Sequence, residues 1–222
     1  MQGMRIAVLG TGEVGRRLAT AFAGLGHQVG LGSRTADNAE AVKWAEEHPG
    51  AAHGTFADVT EDAEVVVNAT GGLVSLAALT AAGADGLRGK VVVDVSNPLD
   101  FSEGFPPKVV TFDGLSLAER IQAEFPGARV VKTLNTMTNT VMVEPGRVPG
   151  DHVVFVGGDD EAAKAVVTGL LGGLGWPAAR IVDLGDLTSA RATEQLMPLW
   201  LRLYGALGTG DFNFAVCVSG RS

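Results

Sequence analysis

Six residues near the start of the chain, Gly10-Thr11-Gly12-Glu13-Val14-Gly15, follow an apolar run over 5–9 and open a stretch with helical periodicity. Glycines at that spacing between a strand and a helix suit the binding of a dinucleotide pyrophosphate. Gly10 permits the tight turn, Gly12 lets the backbone approach the phosphates, and Gly15 lets the helix pack on the strand. A second apolar run ends in Gly32-Ser33-Arg34. An acidic side chain there would hold a ribose 2′-hydroxyl, whereas a hydroxyl and a guanidinium suit a 2′-phosphate. Together the two segments point to NADP(H). Asn38, four residues on, adds a hydrogen-bonding group without charge. Plainer readings exist for each piece: a glycine turn with no nucleotide, and an exposed arginine beside a loop serine.

Three later segments sit where open α/β sheets bind ligands, just past the carboxyl ends of strands. They are Asn68-Ala69-Thr70-Gly71-Gly72, Asp94-Val95-Ser96-Asn97-Pro98 and Lys132-Thr133-Leu134-Asn135-Thr136-Met137. Ordinary loop chemistry also favours asparagine, serine and glycine at such places. Three polar endings in one sheet favour a ligand-facing reading. The four histidines, His27, His48, His53 and His152, lie outside these endings or at the start of a strand. Neither a metal-binding histidine motif, a carboxylate pair nor a G-x-S-x-G elbow is present, so metal hydrolysis, glycoside cleavage and serine acyl transfer lack support. Lys132 is the one lysine near a strand ending, and an ion-pair role competes with that of proton donor. A nicotinamide site without an evident acid or base suits hydride exchange with a second redox cofactor.

The elements that must position these groups read as short apolar strands alternating with helical patterns. Strands are expected over 5–9, 28–31, 64–69, 90–95, 129–134, 152–157 and 180–184, and helices over 14–25, 37–47, 75–82, 115–124 and 161–174. Most of the strands are valine-rich and continuous, as strands covered on both faces should be. The pattern predicts an α/β fold, a Rossmann-type doubly wound parallel sheet with right-handed crossovers and a small C-terminal helical extension. Residues 1–186 would form the NAD(P)-binding domain and 187–222 a helical cap or dimerisation segment. Within the extension, Leu196, Leu199, Trp200, Leu203 and Leu207 make one apolar stripe, which Pro198 should kink or split into two helices. Residues 98–113 hold three prolines and few apolar anchors, and read as a long loop beside the cleft with freedom to move.

Composition narrows the partners. The chain of 222 residues carries a formal net charge of −8 without basic clusters, which argues against nucleic acid. The single cysteine, Cys217, excludes an internal disulfide, and the cytoplasm is the simplest address. The apolar run near the N-terminus stops at Gly10 with no cleavage-site pattern, so no secretory signal is expected. No stretch approaches the ~18–20 apolar residues of a membrane span.

Six motifs in order carry a resemblance: Gly-Thr-Gly-Glu-Val-Gly (10–15), Gly-Ser-Arg (32–34), Val-Asp-Val-Ser-Asn-Pro (93–98), Val-Lys-Thr-Leu-Asn-Thr (131–136), Gly-Gly-Asp-Asp-Glu-Ala (157–162) and Glu-Gln-Leu-Met-Pro-Leu (194–199). From residue 4 to about residue 214 the chain resembles the NADPH:coenzyme F(420) oxidoreductase family. It is similar also to the cytosolic reductase domain of six-transmembrane metalloreductases, which share Val-Asp-Val-Ser-Asn-Pro. The resemblance implies a Rossmann domain with a small C-terminal extension, usually dimeric, passing hydride between NADPH and an 8-hydroxy-5-deazaflavin. It implies that Thr11 to Val14 wrap the pyrophosphate and that Ser33 and Arg34 hold the 2′-phosphate. Ala69 and Thr70 would line the nicotinamide ribose, and Asn97, Pro98, Asn135, Thr136 and Met137 the meeting place of the two rings. Some members carry a basic residue where Asn38 stands, and some a histidine where Asn135 stands; a flavin, FMN or FAD, therefore stays open as the second cofactor. Two other readings stay open: an NADPH-dependent reductase of a small carbonyl or imine, and a non-catalytic NADPH-binding protein. Relatives of the carbonyl and imine type place a larger helical domain after the Rossmann unit.

Overall fold

Runs of valine build the centre of the sheet. In the computed structural model, which describes residues 3–219, β4 (Val65–Asn68) and β5 (Val91–Asp94) are buried at every position. β-branched residues fit a pleated strand covered on both faces. These two strands join β1 (Arg5–Leu9), β2 (Gln28–Ser33), β3 (Ala52–Thr55), β8 (Arg129–Thr133), β9 (Val154–Gly158) and β10 (Ile181–Asp183) in one eight-stranded sheet. Its order is β10-β9-β8-β5-β4-β1-β2-β3. A separate two-stranded ribbon pairs β6 (Leu99–Asp100) with β7 (Lys108–Val109). The switch point falls at β1, where the order turns from β2 to β4.

Helices cover both faces. They are α1 (Glu13–Gly24), α2 (Ala39–Glu47), α3 (Phe56–Thr60), α4 (Ser75–Ala82), α5 (Ala84–Leu87), α6 (Leu117–Glu124), α7 (Asn139–Val143), α8 (Glu161–Gly173), α9 (Ala190–Gln195) and α10 (Met197–Leu207). Alternate residues of β1 feed opposite cores, as a period of two demands. Ile6 and Val8 meet Leu18 and Phe22 of α1 and Leu170 and Leu171 of α8, whereas Ala7 and Leu9 meet Leu79 of α4 and Leu117 and Ile121 of α6. Caps set the helix starts: Asn38 accepts from the Ala41 amide at 3.1 Å, and Ser116 with Glu119 forms a capping box at α6.

The sheet is Rossmann-like and mostly parallel, as expected, with one difference. β9 runs antiparallel to β8, and β10 runs parallel to β9, so the last two strands at one end of the sheet oppose the rest. Between β8 and β9 the main helix is α7, whose five residues rise only ~7.5 Å, too little to return the chain along the sheet. β3 and α3 were not expected. β3 reads Ala-His-Gly-Thr, without an apolar run, and gains its place by pairing with β2. The segment 98–113 holds the β6–β7 ribbon rather than an unstructured loop, and the Val110 amide donates to the Pro98 carbonyl at 2.8 Å.

The C-terminal segment is helical, and Pro198 starts a second helix there rather than bending one. The apolar stripe divides. Leu196, Trp200 and Leu203 are half-buried and Leu199 and Leu207 exposed, as is Tyr204, whereas the buried residues of α10 are Met197 and Leu201, outside the stripe. Beyond α10 the chain returns to the start of β9, where the Val153 amide donates to the Phe214 carbonyl at 2.9 Å. No helix among the described residues is long and apolar enough to cross a membrane.

Candidate active site

Sheet register lines up the segments singled out in the sequence. Leu9 pairs with Gly32 on one side and Asn68 on the other; Asn68 pairs with Asp94, and Asp94 with Lys132. Each polar ending therefore leaves the sheet from the same rim.

At the switch point Gly10 adopts φ +115°, donates its amide to the Gly32 carbonyl at 3.0 Å and lies against the next loop. A Cβ there would stand 2.7 Å from the Ala69 carbonyl oxygen. A Cβ at Gly15 would overlap the Gly10 carbonyl, so the first turn of α1 packs directly on the turn before it. Gly12 differs: a Cβ would meet nothing within 4 Å, because this backbone borders open space. No side chain caps α1 at Gly12, which leaves the first-turn N–H groups of a twelve-residue helix available to an anion. Arg16 braces the turn by donating to the Thr11 carbonyl at 2.5 Å and pairing with Glu40 at 2.7 Å. Glu13 lines an outer groove between α1 and α2.

Arg34 is exposed, and no partner for its side chain is present among the described residues. Ser33 is buried, and its hydroxyl donates to the Thr35 carbonyl at 2.5 Å while accepting the Thr35 amide at 3.2 Å. It shapes the turn that presents Arg34. The Asn38 carbonyl oxygen is taken up in capping α2, which leaves its amide group as the available donor.

On the other side of β1 lies a cavity of about 340 Å³, walled by the loops after β4, β5 and β8. Val14, Ala69, Thr70, Asn97, Met137 and Met142 line it, with Leu99 and Phe101 of the ribbon at its edge, and none of the lining residues is ionisable. Asn97 donates to the Asn135 backbone carbonyl at 2.7 Å, and the Asn135 amide donates to the Asn97 side-chain oxygen at 3.0 Å. Asn135, Thr136 and Pro98 are buried behind the lining and do not face the cavity. Leu134, at φ +61° and buried, makes the turn that brings this loop over. A left-handed backbone on a leucine is strained and persists because its surroundings hold it.

A buried polar network underlies the cavity. The Asn68 amide group donates to Asp94 at 2.9 Å, and Thr70 donates its hydroxyl to the Asn68 oxygen at 2.7 Å. Ser96 donates its hydroxyl to Asp94 at 2.6 Å. Lys132 pairs with Asp94 at 2.8 Å and with Glu194 of α9 at 2.9 Å, all three side chains at most 3% exposed. Burial pushes the Lys132 ammonium down, but Asp94 and Glu194 outweigh it and hold the group above the ordinary lysine range. Lys132 is thus an enclosed cation, not a proton donor facing a ligand. Glu194 and the ribbon residues Leu99 and Phe101 escaped the sequence reading. Glu194 does lie in the last quoted motif, but nothing near it signals a partner 62 residues earlier. Among the described residues no group of three potential metal ligands occurs.

Comparison with known proteins agrees with this geometry. A family model described as NADP oxidoreductase, coenzyme F(420)-dependent, matches residues 5–98. The chain is 31% identical over 222 residues to the F(420)-dependent NADP reductase of Methanocaldococcus jannaschii, covering 93% of this chain and 96% of that protein. It is 31% identical over 206 residues to metalloreductase STEAP3 of Rattus norvegicus, covering 88% of this chain but only 38% of the metalloreductase. A crystal structure of a candidate F(420)-dependent NADP reductase from Arthrobacter sp. FB24 superposes with a TM-score of 0.91 at 54% identity, covering 97% of this chain and 100% of that one. A reductive aminase from Aspergillus terreus, at 21% identity and a TM-score of 0.65, shares the fold over 93% of this chain and 63% of its own. The chain belongs to the coenzyme F(420)-dependent NADP oxidoreductase family, and it is an NADP-dependent oxidoreductase.

Proposed function

We propose that the protein passes hydride between NADP(H) and a deazaflavin of the coenzyme F(420) type. The observation that carries this reading is the 340 Å³ cavity beside the glycine turn, lined without a single ionisable residue. A carbonyl or imine reductase ordinarily places a proton donor at the reacting atom. Here the nearby lysine is locked between two carboxylates. When bound, the pair of cofactors would supply a two-electron transfer from the nicotinamide ring, with one proton taken up by the deazaflavin on reduction.

The residues fit such ligands. Gly12 and the uncapped N-terminus of α1 leave room and donors for a pyrophosphate, and Arg34 offers an unengaged guanidinium for a 2′-phosphate. In this reading Gly10, Thr11, Glu13, Val14 and Gly15 form the pyrophosphate turn, with Ser33 and Asn38 shaping the phosphate pocket. Ala69, Thr70 and Met137 would line the space for the nicotinamide, and Asn97 would border the second ring. Asn135, Thr136 and Pro98 would act from behind, by holding Asn97 and the ribbon in place. The chain's contribution is orientation and exclusion of water.

The reading extends to a homodimer in the cytoplasm. The exposed Leu199, Tyr204 and Leu207 of α10 support pairing, which light scattering would show as twice the chain mass. Anaerobic mixing of the protein with NADPH and oxidised F(420), FMN or FAD in parallel tests the function. The expected result is loss of the deazaflavin's visible absorbance, with FMN and FAD left oxidised. Reduction of a flavin alone, or turnover of a 2-oxo or imino acid without deazaflavin, would replace the proposal.

A further inference from the structure

We infer that Glu194, on α9, is a positioning residue for the cavity wall: through Lys132 and Asp94 it holds Thr70 and Ser96 in place. This inference rests on the cavity being the site of hydride transfer. The path is continuous. Glu194 accepts from the Leu117 and Ala118 amides at 2.9 and 3.3 Å, at the start of α6, and pairs with Lys132. Lys132 also donates to the Ser96 carbonyl at 2.6 Å, so the ammonium holds both Asp94 and the backbone that leads to Asn97. Asp94 in turn accepts the Ser96 amide at 3.2 Å and the Asn68 side chain, whose own oxygen accepts the Thr70 hydroxyl and, at 3.4 Å, its amide. Ser96 and Thr70 both line the cavity.

A role in merely attaching the C-terminal helices does not account for this arrangement. The surface pair Arg191–Glu119, with contacts of 2.8 and 2.5 Å, already ties α9 to α6. A buried ion pair is weak evidence of net stability, so the fixed geometry of this one is the part of the inference to test. The path also selects one half of the cleft. It ends on the loops after β4 and β5 and does not reach Arg34; it meets the glycine turn only where Gly10 packs on the backbone of Ala69 and Thr70.

The test compares Glu194→Gln, which keeps the shape and removes the charge, with Arg191→Ala, which breaks only the surface tie. Steady-state kinetics with NADPH and F(420) are read beside amide hydrogen exchange at Thr70 and Ser96. For Glu194→Gln, kcat should fall about 10- to 100-fold while KM for NADPH changes less than about threefold. The Thr70 and Ser96 amides should exchange at least about tenfold faster. Arg191→Ala should leave all of these near wild type. If Glu194→Gln is insoluble, Glu194→Asp, too short to reach both Lys132 and α6, is read the same way with a smaller effect. A folded Glu194 variant with unchanged kcat and unchanged exchange overturns the inference, and so does an equal loss in Arg191→Ala. Should the wild-type protein fail to reduce F(420), the exchange measurement still decides on Glu194, because it needs no second substrate.

Discussion

Replacing Lys132 with methionine is expected to destabilise the protein by about 3–5 kcal/mol, among the largest effects of any single substitution in the chain. Methionine fills similar volume without charge, so little of the cost comes from packing. The cost arises because Asp94 and Glu194 lose their shared cation inside a dry interior. Neither carboxylate can reach water, since both side chains are at most 3% exposed. Asp94 keeps Asn68 and Ser96 as partners and Glu194 keeps two amides, which offset part of the loss but supply no positive charge. Urea unfolding at neutral pH measures the difference through the midpoint at constant slope. A loss below about 1 kcal/mol would mean that water reaches these carboxylates and that the network is not the closed unit described here.

Arg34→Ala is expected to raise KM for NADPH about 10- to 100-fold and to leave KM for NADH nearly unchanged. The residue is exposed and, among the described residues, free of any partner, so its removal costs the fold little. A bidentate guanidinium–phosphate contact exists only with the 2′-phosphorylated nucleotide, which makes the effect selective. Equal changes with both nucleotides would remove Arg34 from the phosphate site. Ser33→Ala should act less directly, because that hydroxyl already bonds to Thr35 and shapes the turn.

The nucleotide half of the site was readable because each of its parts has a local cause. Gly10 needs a positive φ and Gly15 a missing Cβ, and both leave a trace in residue type, whereas nothing in the chain itself bars a Cβ at Gly12. The valine runs named the central strands for the same reason: burial on both faces selects them. Other features have no local cause. β3 depends on pairing with β2, and the reversed direction of β9 and β10 leaves no mark in an apolar run. The Asn97–Asn135 clasp joins two loops 38 residues apart, so where the sequence suggested two residues facing a ligand, the structure puts Asn97 on the cavity lining and Asn135 behind it. Glu194 is the extreme case. Its amide partners Leu117 and Ala118 lie 77 and 76 residues away, and only the packed fold brings a C-terminal helix to the underside of the cavity.

In the proposed function, hydride passes directly from the nicotinamide ring to the deazaflavin ring. Incubation of the protein with F(420) and NADPH deuterated at the transferred position of nicotinamide carbon 4, followed by mass analysis of the reduced deazaflavin, tests this most directly. One deuterium per reduced deazaflavin, retained in ordinary water, is the expected result. Reduced deazaflavin carrying only solvent hydrogen at carbon 5, or no reduction at all, would contradict it.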